Sequence, residues 1–333
     1  MILKSNRKFG VEIEFYAPSK TSYDAVVAKL PTERDGSLDG RQYGREYVSP
    51  VLFGKSGEQT LIKDCAVLNK HKCQSGDTRT SMHIHIDGRK FQNLVEETTS
   101  RDPKQTQIAI SNKLHKDLGK DNAERIIRGD YVRIDEIKSS KIDNVTYLGY
   151  SARTTHPVLN YKYYNVYAHD DFKFMKNVFY FYTQYSDVME MMVSNSRKKG
   201  NMYCIPLGEC FDLAAIEDCR TMNDLENVWY KSTDRFDNYN NSRYHNVNLH
   251  CYFTESKGTV EIRSHGGTTD PEKILLWVRL HQHIIDKLDS IDFESVKPKT
   301  ADLLESFLDF ISDDPMLVEY VKRLVGYFSN VKI

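Results

Sequence analysis

The sequence lacks long apolar runs and an excess of either charge. Its 333 residues carry 46 Lys and Arg against 47 Asp and Glu, which leaves a formal net charge of −1. None of the apolar runs approaches the roughly 18 residues that a membrane-spanning helix needs. A near-neutral chain is also unlike a general nucleic-acid binder, which usually has a basic excess. We therefore expect a globular protein without membrane or nucleic-acid partners.

Paired cysteines and a secretory signal are missing as well. Six cysteines are scattered through the chain without a CxxC pair, which favours reduced thiols over a disulfide framework. The apolar start of the chain is interrupted by Lys4, Arg7 and Lys8, where a secretory signal would need an apolar segment. Together these absences predict a cytoplasmic protein.

Several common catalytic motifs are absent too. No GxGxxG or GxSxG pattern occurs in the chain. Gly54-Lys55-Ser56 resembles the end of a P-loop, but the first glycine of that motif would fall at Ser49. The usual P-loop and dinucleotide-binding signatures are therefore excluded.

What the sequence contains is a series of short strand patterns separated by helices. Alternating apolar residues predict strands near 9–16, 44–51, 82–87, 247–253 and 259–265. Helical spacing and capping signals predict helices near 57–70, 175–192 and 225–230, one that starts at Asp270-Pro271, and more helices after it. Residues 91–150 are polar and rich in charge, and we interpret them as a partly helical insertion. The length fits two domains, or one large domain with an insertion.

Two of these strands place pairs of candidate metal ligands on one face. Glu12 and Glu14 are two residues apart on a strand, so both carboxylates project from the same side, about 6–7 Å apart. The same spacing holds for His83, His85 and Asp87, whose strand has an apolar opposite face. Imidazoles spaced in this way can hold a metal ion. A solvated polar face explains either pattern when it is taken alone.

A later strand adds an acid, an arginine and an imidazole. Glu261, Arg263 and His265 alternate along this strand, and we expect all three on one face. Arginine suits bidentate binding of a phosphate or a carboxylate. An ion pair between Glu261 and Arg263 within the strand is the alternative explanation.

The joint pattern favours the functional interpretation. Four strands offer carboxylates or imidazoles on one face, and Glu46 is the acid of the fourth strand. Together with Arg263, these residues can hold two hard divalent cations and a phosphate group. Arg197 follows the long predicted helix, where it either presents a cation to a polyanion or lies at a solvated helix end.

At this point the sequence resembles a known family. The motifs FGVEIEF, DGSL, GREYVSPVL, HIHID, SRKKG, SRYHNVNL and TVEIRSHGGT occur in the order seen in the amidoligases, COOH–NH2 ligases of the glutamine synthetase and glutamate–cysteine ligase superfamily. The resemblance covers most of residues 7–290. It implies an α+β fold, a glutamine synthetase-like catalytic domain with an antiparallel sheet funnel flanked by helices. We accordingly expect a catalytic domain at 1–290, interrupted at about 91–150, and a C-terminal helical extension at 291–333.

The resemblance also implies roles for individual residues. The residues that resemble the family's metal ligands are Glu12, Glu14, Glu46, His83, His85 and Glu261. Arg263 resembles the arginine that contacts the transferring phosphate. The residues expected to contact the nucleotide or the substrate are Asp35 and Ser37 of the DGS turn, Arg197, Arg243 and His265.

The reaction implied by this resemblance is ATP- and Mg²⁺-dependent formation of an amide bond, either peptide or isopeptide, through an acyl phosphate. Two Mg²⁺ or Mn²⁺ ions and Arg263 would neutralise the γ-phosphoryl group, after which an amine attacks the acyl phosphate. Glu46, Asp35 or a loop residue would accept the proton of the amine. The expected partners are a carboxylate donor and an amine acceptor, each a small molecule, a peptide or a protein. Whether the protein forms a homo-oligomer stays open on the sequence alone.

Two other functions stay open on the sequence alone. A metal-dependent hydrolase could use the His83-x-His85-x-Asp87 strand, although its other strand ligands are glutamates, which favour Mg²⁺ or Mn²⁺ over zinc. A non-catalytic relative could keep the fold and bind a nucleotide or a peptide.

Overall fold

A computed structural model of the chain divides into two units. The first unit comprises Met1–Gly88 and Met175–Ile333, and the second comprises Arg89–Phe174. The residues that the structure describes are 2–5, 7–38, 42–76, 79–88, 91–93, 120, 131–132, 141–142, 145–150, 154–155, 162–163, 165–168, 171–234, 237, 239–254 and 257–329.

The first unit is built around a six-stranded sheet in which neighbouring strands are antiparallel. Its strands, in chain order, are β1 (Phe9–Tyr16), β2 (Thr32–Glu33), β3 (Gly44–Val48), β4 (Ser81–Asp87), β5 (Val247–Asn248) and β6 (Thr259–Gly266). Their order across the sheet is β5-β6-β4-β1-β3-β2. Strands from distant parts of the sequence therefore meet at β4, which pairs with β1 on one side and with β6 on the other.

Helices account for most of the chain from residue 171 onward. In chain order the helices are α1 (Lys20–Val27), α2 (Gly54–Lys70), α3 (Asp171–Gln184), α4 (Ser186–Met191), α5 (Leu207–Cys210), α6 (Leu213–Glu217), α7 (Met222–Tyr230), α8 (His250–Phe253), α9 (Pro271–Ser290), α10 (Leu303–Phe310) and α11 (Pro315–Ser329). Helix α9 begins as predicted, because the Asp270 side chain accepts the backbone N–H groups of Glu272 and Lys273.

The sheet has one apolar face and one polar face. The side chains that fill the apolar face are buried and come from alternate positions of β1 and β4, namely Phe9, Val11, Ile13, Phe15, Met82, Ile84 and Ile86. Helix α9 packs against β4 and against α2. The alternation predicted from the sequence is confirmed here, and it directs Glu12 and Glu14 to the opposite face of the sheet.

The aromatic stretch after residue 174 belongs to the core. The single helix predicted over 175–192 is instead two helices, α3 and α4, which are separated at Tyr185. Both helices bury aromatic or methionine side chains. The Tyr182 hydroxyl lies 2.8 Å from Nδ1 of His281 in α9, and neither side chain is accessible to solvent beyond 1 %. The tyrosine excess of this segment therefore serves packing, as its helical spacing predicts.

The strand predicted over 247–253 is wrong beyond its second residue. Strand β5 ends at Asn248, whose side-chain Oδ1 accepts the backbone N–H of His250 at 2.8 Å and starts helix α8. This local bond competes with continued strand pairing, as asparagine side chains often do. The segment that connects β5 to β6 is also longer than a two-residue hairpin turn. Within it, the N–H of Gly258 donates to the carbonyl of Cys251 at 2.9 Å.

The described parts of the second unit are mostly strands. A five-stranded sheet contains Phe91–Asn93, Asn165–Ala168, Val145–Tyr150 and Tyr131–Val132 in this order, with Lys141–Ile142 paired to Val145–Tyr150. Thr154–Thr155 and Lys162–Tyr163 form a separate antiparallel pair. The rest of the insertion predicted at 91–150, and with it nearly all of the expected helical content, lies outside the described residues.

This architecture agrees with the predicted α+β class, because helices and an antiparallel sheet share one unit. The glutamine synthetase-like funnel stays a prediction. Among the described ranges, no helix combines the length and the apolar character that crossing a bilayer requires.

Truncating the apolar face should destabilise the whole unit. Ile84 is fully buried on β4, so Ile84→Ala removes buried methyl groups and leaves a cavity beneath the polar face. We expect the free energy of unfolding to fall by about 2–5 kcal/mol in a urea titration. Ile62→Ala, at a position of α2 that is 45% exposed, is the matched control and should change it by about 0.5 kcal/mol or less. Equal losses in the two variants would contradict this description of the core.

Candidate functional site

The polar face of the sheet brings six of the predicted site residues together. In the strand register, Glu12 lies opposite His83, Glu14 opposite Glu46, and Glu261 opposite His85. Each pair belongs to two neighbouring strands, so all six side chains leave the sheet from the same face. The structure thus places residues from four strands at one centre.

One part of this centre consists of carboxylates alone. An oxygen of Glu14, one of Asp35 and one of Glu46 all lie within 4.8 Å of one another, and we call these three residues the acidic group. Glu14 is held in place by Ser81, whose backbone N–H donates to Oε2 at 2.7 Å and whose hydroxyl donates to Oε1 at 2.6 Å. Asp35 accepts the N–H of Ser37 at 2.7 Å, which fixes the turn that carries both.

The acidic group has an electrostatic imbalance. Burial and, after it, the neighbouring carboxylates of Glu12, Asp35 and Glu14 together raise the pKa of Glu46 to about 9. A carboxyl group in this position either keeps its proton near neutral pH or ionises when a cation is close. Three converging carboxylate oxygens are the ligand type that Mg²⁺ and Mn²⁺ prefer.

The second part of the centre mixes carboxylates with imidazoles. We call Glu12, His83, His85 and Glu261 the mixed group. Nε2 of His85 lies 3.0 Å from Oε1 of Glu12, and Nδ1 of His83 lies 3.4 Å from Oε2 of Glu12 and 3.9 Å from Oε1 of Glu261. Although burial opposes ionisation, the two histidines hold the pKa of Glu12 well below its usual value.

Glu261 is the most tightly held acid of the mixed group. Its Oε1 accepts from Nη1 of Arg263 at 2.7 Å, and its Oε2 accepts from Nδ2 of Asn248 at 2.6 Å. Burial would raise the pKa of Glu261, but the Arg263 guanidinium and the nearby histidines lower it to about 2. Glu261 therefore stays ionised, and the ion pair with Arg263 that was the alternative explanation for this strand is present.

Arg263 keeps donor capacity beyond this ion pair. Its side chain is 17% exposed, and its buried Nε has no hydrogen-bond partner among the described residues. An unpaired guanidinium donor beside an ionised acid is able to bind an additional anion.

Three neighbours of the site were not predicted from the sequence. Asn248 and Cys251 contact the Glu261 carboxylate, the latter with Sγ 3.4 Å from Oε2, and Nζ of Lys257 lies 3.4 Å from Oε1 of Glu12. The sequence did offer a sign that Asn248 belongs to the site, because it lies in the predicted strand before β6. In the structure Asn248 lies opposite Glu261 in register. Cys251 gave no such signal, because the sequence pattern placed it on a strand rather than on helix α8.

His265 corrects one expectation. The register between β6 and β4 shifts between Ile262 and His265, so His265 lies opposite Met82 of the apolar face. The expectation that Glu261, Arg263 and His265 share one face is therefore wrong for His265. Its ring instead lies edge to face on Trp277 of α9, with centroids 5.1 Å apart, and burial lowers its pKa to about 4.

The remaining predicted residues lie around the centre. Nη2 of Arg197 donates to the carbonyl of Thr80, the residue before β4, at 2.5 Å. The guanidinium of Arg243 lies over the rings of Tyr239 and Tyr244, 5.0 and 4.9 Å from their centroids. Ser37 is exposed beside Asp35 in the turn described above.

The hydrolase alternative depends on Asp87 joining the two histidines. His83 and His85 each form a possible ligand group with Glu261, but Asp87 belongs to none of the ligand groups found among the described residues. The geometry therefore gives the HxHxD interpretation no support.

A cavity of about 820 Å³ adjoins the end of β6. His265, Gly266 and Gly267 line one side of it, and Arg323 and Tyr327 of α11 line another. Gly266 is paired with Ser81, which binds Glu14, so the cavity wall and the acidic group share neighbouring residues of the sheet. Cavities of this size accommodate small organic ligands.

The raised pKa of Glu46 predicts how stability depends on pH. The native state binds this proton more tightly than the unfolded chain, where a glutamate titrates near 4.5, so the metal-free protein should lose stability between about pH 4.5 and pH 9. Glu46→Gln removes this titration. At about pH 8.5 in a chelating buffer we expect the variant to be more stable than the parent by about 1–2 kcal/mol in urea unfolding, and close to it near pH 5.

Glu33→Gln is the control for this experiment. Glu33 is exposed and lies opposite Glu46 in the register of β2 and β3. This variant should keep the pH dependence of the parent. If Glu46→Gln also kept that dependence unchanged, the electrostatic description of the acidic group would be wrong.

Comparison with known protein families returns a match in the second half of the chain. Residues 164–285 match the model of a family described as "Putative amidoligase enzyme". The matched segment includes Glu261 of the mixed group and the two residues that donate hydrogen bonds to its carboxylate, Asn248 and Arg263. A search of the curated proteins finds no match. The recognition made from the sequence motifs is confirmed over residues 164–285, which contain SRKKG, SRYHNVNL and TVEIRSHGGT, whereas the earlier motifs lie outside the matched segment.

Proposed function

We propose that the protein is an ATP- and divalent-cation-dependent ligase that joins a carboxylate to an amine in an amide bond. The observation that carries this proposal is the pair of ligand groups on one sheet face, with Glu14 in the acidic group and Glu12 in the mixed group. The match to an amidoligase family over residues 164–285 supports a ligase in particular. Fold similarity alone would not support it, since one fold serves many reactions.

The donor sets fit hard divalent cations. In the acidic group, burial and the neighbouring carboxylates raise the pKa of Glu46, and a bound cation would supply the positive charge that favours its ionised form. Glu14, Asp35 and Glu46 would hold one Mg²⁺ or Mn²⁺ ion. Glu12 and Glu261, with a histidine, would hold a second. When bound, such ions withdraw charge from the oxygens of the transferring phosphoryl group.

The reaction itself requires activation of the carboxylate. A carboxylate is a poor acyl donor until ATP phosphorylates it, and the acyl phosphate then reacts with the amine and releases phosphate. Arg263 would bind the γ-phosphoryl group, and the guanidinium donors that its bond to Glu261 leaves unused support this role. Glu46, Asp35 or a loop residue, whichever is not bound to the cation, would accept the proton of the attacking amine.

Other residues would bind the substrates. Ser37, beside Asp35, would contact the carboxylate or amine substrate, and Arg197 and Arg243 would supply positive charge to phosphates or carboxylates. His265 lines the cavity of about 820 Å³, but it lies on the sheet face opposite the two ligand groups, so we assign it no contact with the phosphates of the nucleotide. The carboxylate donor and amine acceptor, each a small molecule or a peptide, belong to this proposal as substrate classes.

Removing the acid shared by both histidines should stop the reaction. Glu12→Gln keeps the size of the side chain but loses the charge that neutralises a cation, so we expect the release of ADP in the presence of Mg²⁺, a carboxylate and an amine to fall at least about 100-fold. The measurement is coupled ADP release over a panel of carboxylates and amines. Glu319→Gln, at an exposed position of α11, is the matched control and should retain the activity of the parent.

The absence of any Mg²⁺-dependent nucleotide binding in the parent would refute the ligase proposal and leave the non-catalytic alternative. Full activity in Glu12→Gln would instead refute the assignment of the mixed group as cation ligands.

Replacing the arginine by lysine tests its proposed contact with the phosphoryl group. Arg263→Lys keeps a positive charge beside Glu261 but loses the planar donors of the guanidinium. We expect kcat to fall about 10²–10³-fold, with a smaller change in the KM for ATP, because the contact strengthens as charge develops in the transition state. A variant with normal kcat and a raised KM would show that Arg263 only binds the ground state.

A further inference from the structure

Cys251 extends the mixed group with a sulfur ligand. Helix α8 contacts β6 and places Sγ of Cys251 3.4 Å from Oε2 of Glu261. Sγ, a ring nitrogen of His85 and a carboxylate oxygen of Glu261 all lie within 4.8 Å of one another. Three different ligand types thus converge on one point beside the polar face of the sheet.

The distances suit a tetrahedral zinc ion. Zinc binds sulfur at about 2.3 Å and nitrogen or oxygen at about 2.0–2.2 Å, so its ligand atoms lie about 3.3–3.7 Å apart in a tetrahedral site. The separation of 3.4 Å between Cys251 and Glu261 falls in this interval. Oε1 of Glu12, 3.0 Å from Nε2 of His85, is close enough to complete the site after a small side-chain movement.

The neighbouring hydrogen bonds also resemble those around a metal centre. Nδ1 of His85 lies 3.1 Å from the hydroxyl of Thr259, so the ring is oriented from the side opposite Glu12. Glu261 is oriented by Asn248 and Arg263. Metal ligands are usually held by such outer contacts, which fix the tautomer of the histidine and the direction of the carboxylate.

We propose that Cys251, His85 and Glu261 form a binding site for Zn²⁺, with Glu12 or water as the fourth ligand. When zinc binds, the Cys251 thiol releases its proton to solvent and the thiolate sulfur bonds to the metal. Sulfur and imidazole ligands select zinc over Mg²⁺, whereas the acidic group offers only oxygens. The zinc site shares Glu261, and Glu12 where it is the fourth ligand, with the second Mg²⁺ or Mn²⁺ ion of the proposed function, so a bound zinc ion would take the place of that ion. Only this consequence for catalysis rests on the proposed function, because zinc binding itself is measured without substrates.

Cobalt is the probe for this site, since Co²⁺ occupies zinc sites and absorbs light when a thiolate is bound. Titration of the full, metal-free chain with Co²⁺ alone should produce a thiolate-to-cobalt charge-transfer band in the near ultraviolet, which added Zn²⁺ removes. Cys251→Ser should lose this band and bind Zn²⁺ at least about tenfold more weakly. Cys210→Ser is the matched control and should keep both properties, because this half-buried cysteine of α5 belongs to none of the possible ligand groups found among the described residues.

Two outcomes of the cobalt titration would contradict the proposal. A parent protein without the band, or a Cys251→Ser variant that keeps it, would overturn the zinc site. Neither outcome would bear on Mg²⁺-dependent ADP release, and a failed ligase assay would leave the cobalt result unchanged, so the two proposals fail separately.

A second measurement needs no variant of Cys251. Zinc should slow the alkylation of Cys251 by iodoacetamide and leave the alkylation of Cys210 unchanged. The full chain is alkylated first and then digested, and mass spectrometry of the peptides measures both rates. Equal rates for Cys251 with and without zinc would overturn the proposal even if the serine variant failed to fold.

Discussion

Repulsion between closely spaced carboxylates is the interaction on which this centre depends. Adjacent strands bring Glu12, Glu14, Glu46 and Glu261 to one face, and such a set is unfavourable unless positive charge accompanies it. The protein neutralises part of the set itself, through the histidines near Glu12 and the Arg263 guanidinium at Glu261. The carboxylates around Glu46 are not neutralised in this way, and burial together with these neighbours raises the pKa of Glu46. A centre that is half neutralised in this way is suited to bind cations and phosphate together.

The opposite face of the same strands holds this arrangement in register. Side chains alternate along a strand, so a slip of one residue would turn the carboxylates into the core and the apolar side chains toward the site. Fully buried residues such as Val11, Ile13 and Ile84 make that slip costly, and α9 packs against β4 and α2. The core therefore fixes the positions of the ligands as well as stabilising the fold.

Regular alternation explains why much of the fold and site could be predicted. Strands β1 and β4, the start of α9 and the shared face of Glu12 and Glu14 follow from periodicity and capping, which act between near neighbours in sequence. The misses arose where one contact overrides the pattern. The Asn248 side chain ends β5 and moves Cys251 onto a helix, and a register shift in β6 turns His265 to the apolar face. Neither the hydrogen bond of Asn248 nor the register shift in β6 leaves a periodic signal in the sequence.

The chain's near-neutral total charge therefore says little about its chemistry, which depends on where the charges lie. Glu12 and Glu14 are neighbours on one strand face, yet one belongs to the mixed group and the other to the acidic group. Their carboxylates project about 6–7 Å apart, whereas ions that share one bridging oxygen lie about 3.5–4 Å apart. Cations held by the two groups would thus suit a ligand that extends across both. A chain of phosphates has that shape, which is a physical reason to prefer ATP over a single phosphate ester as the substrate of the proposed ligase.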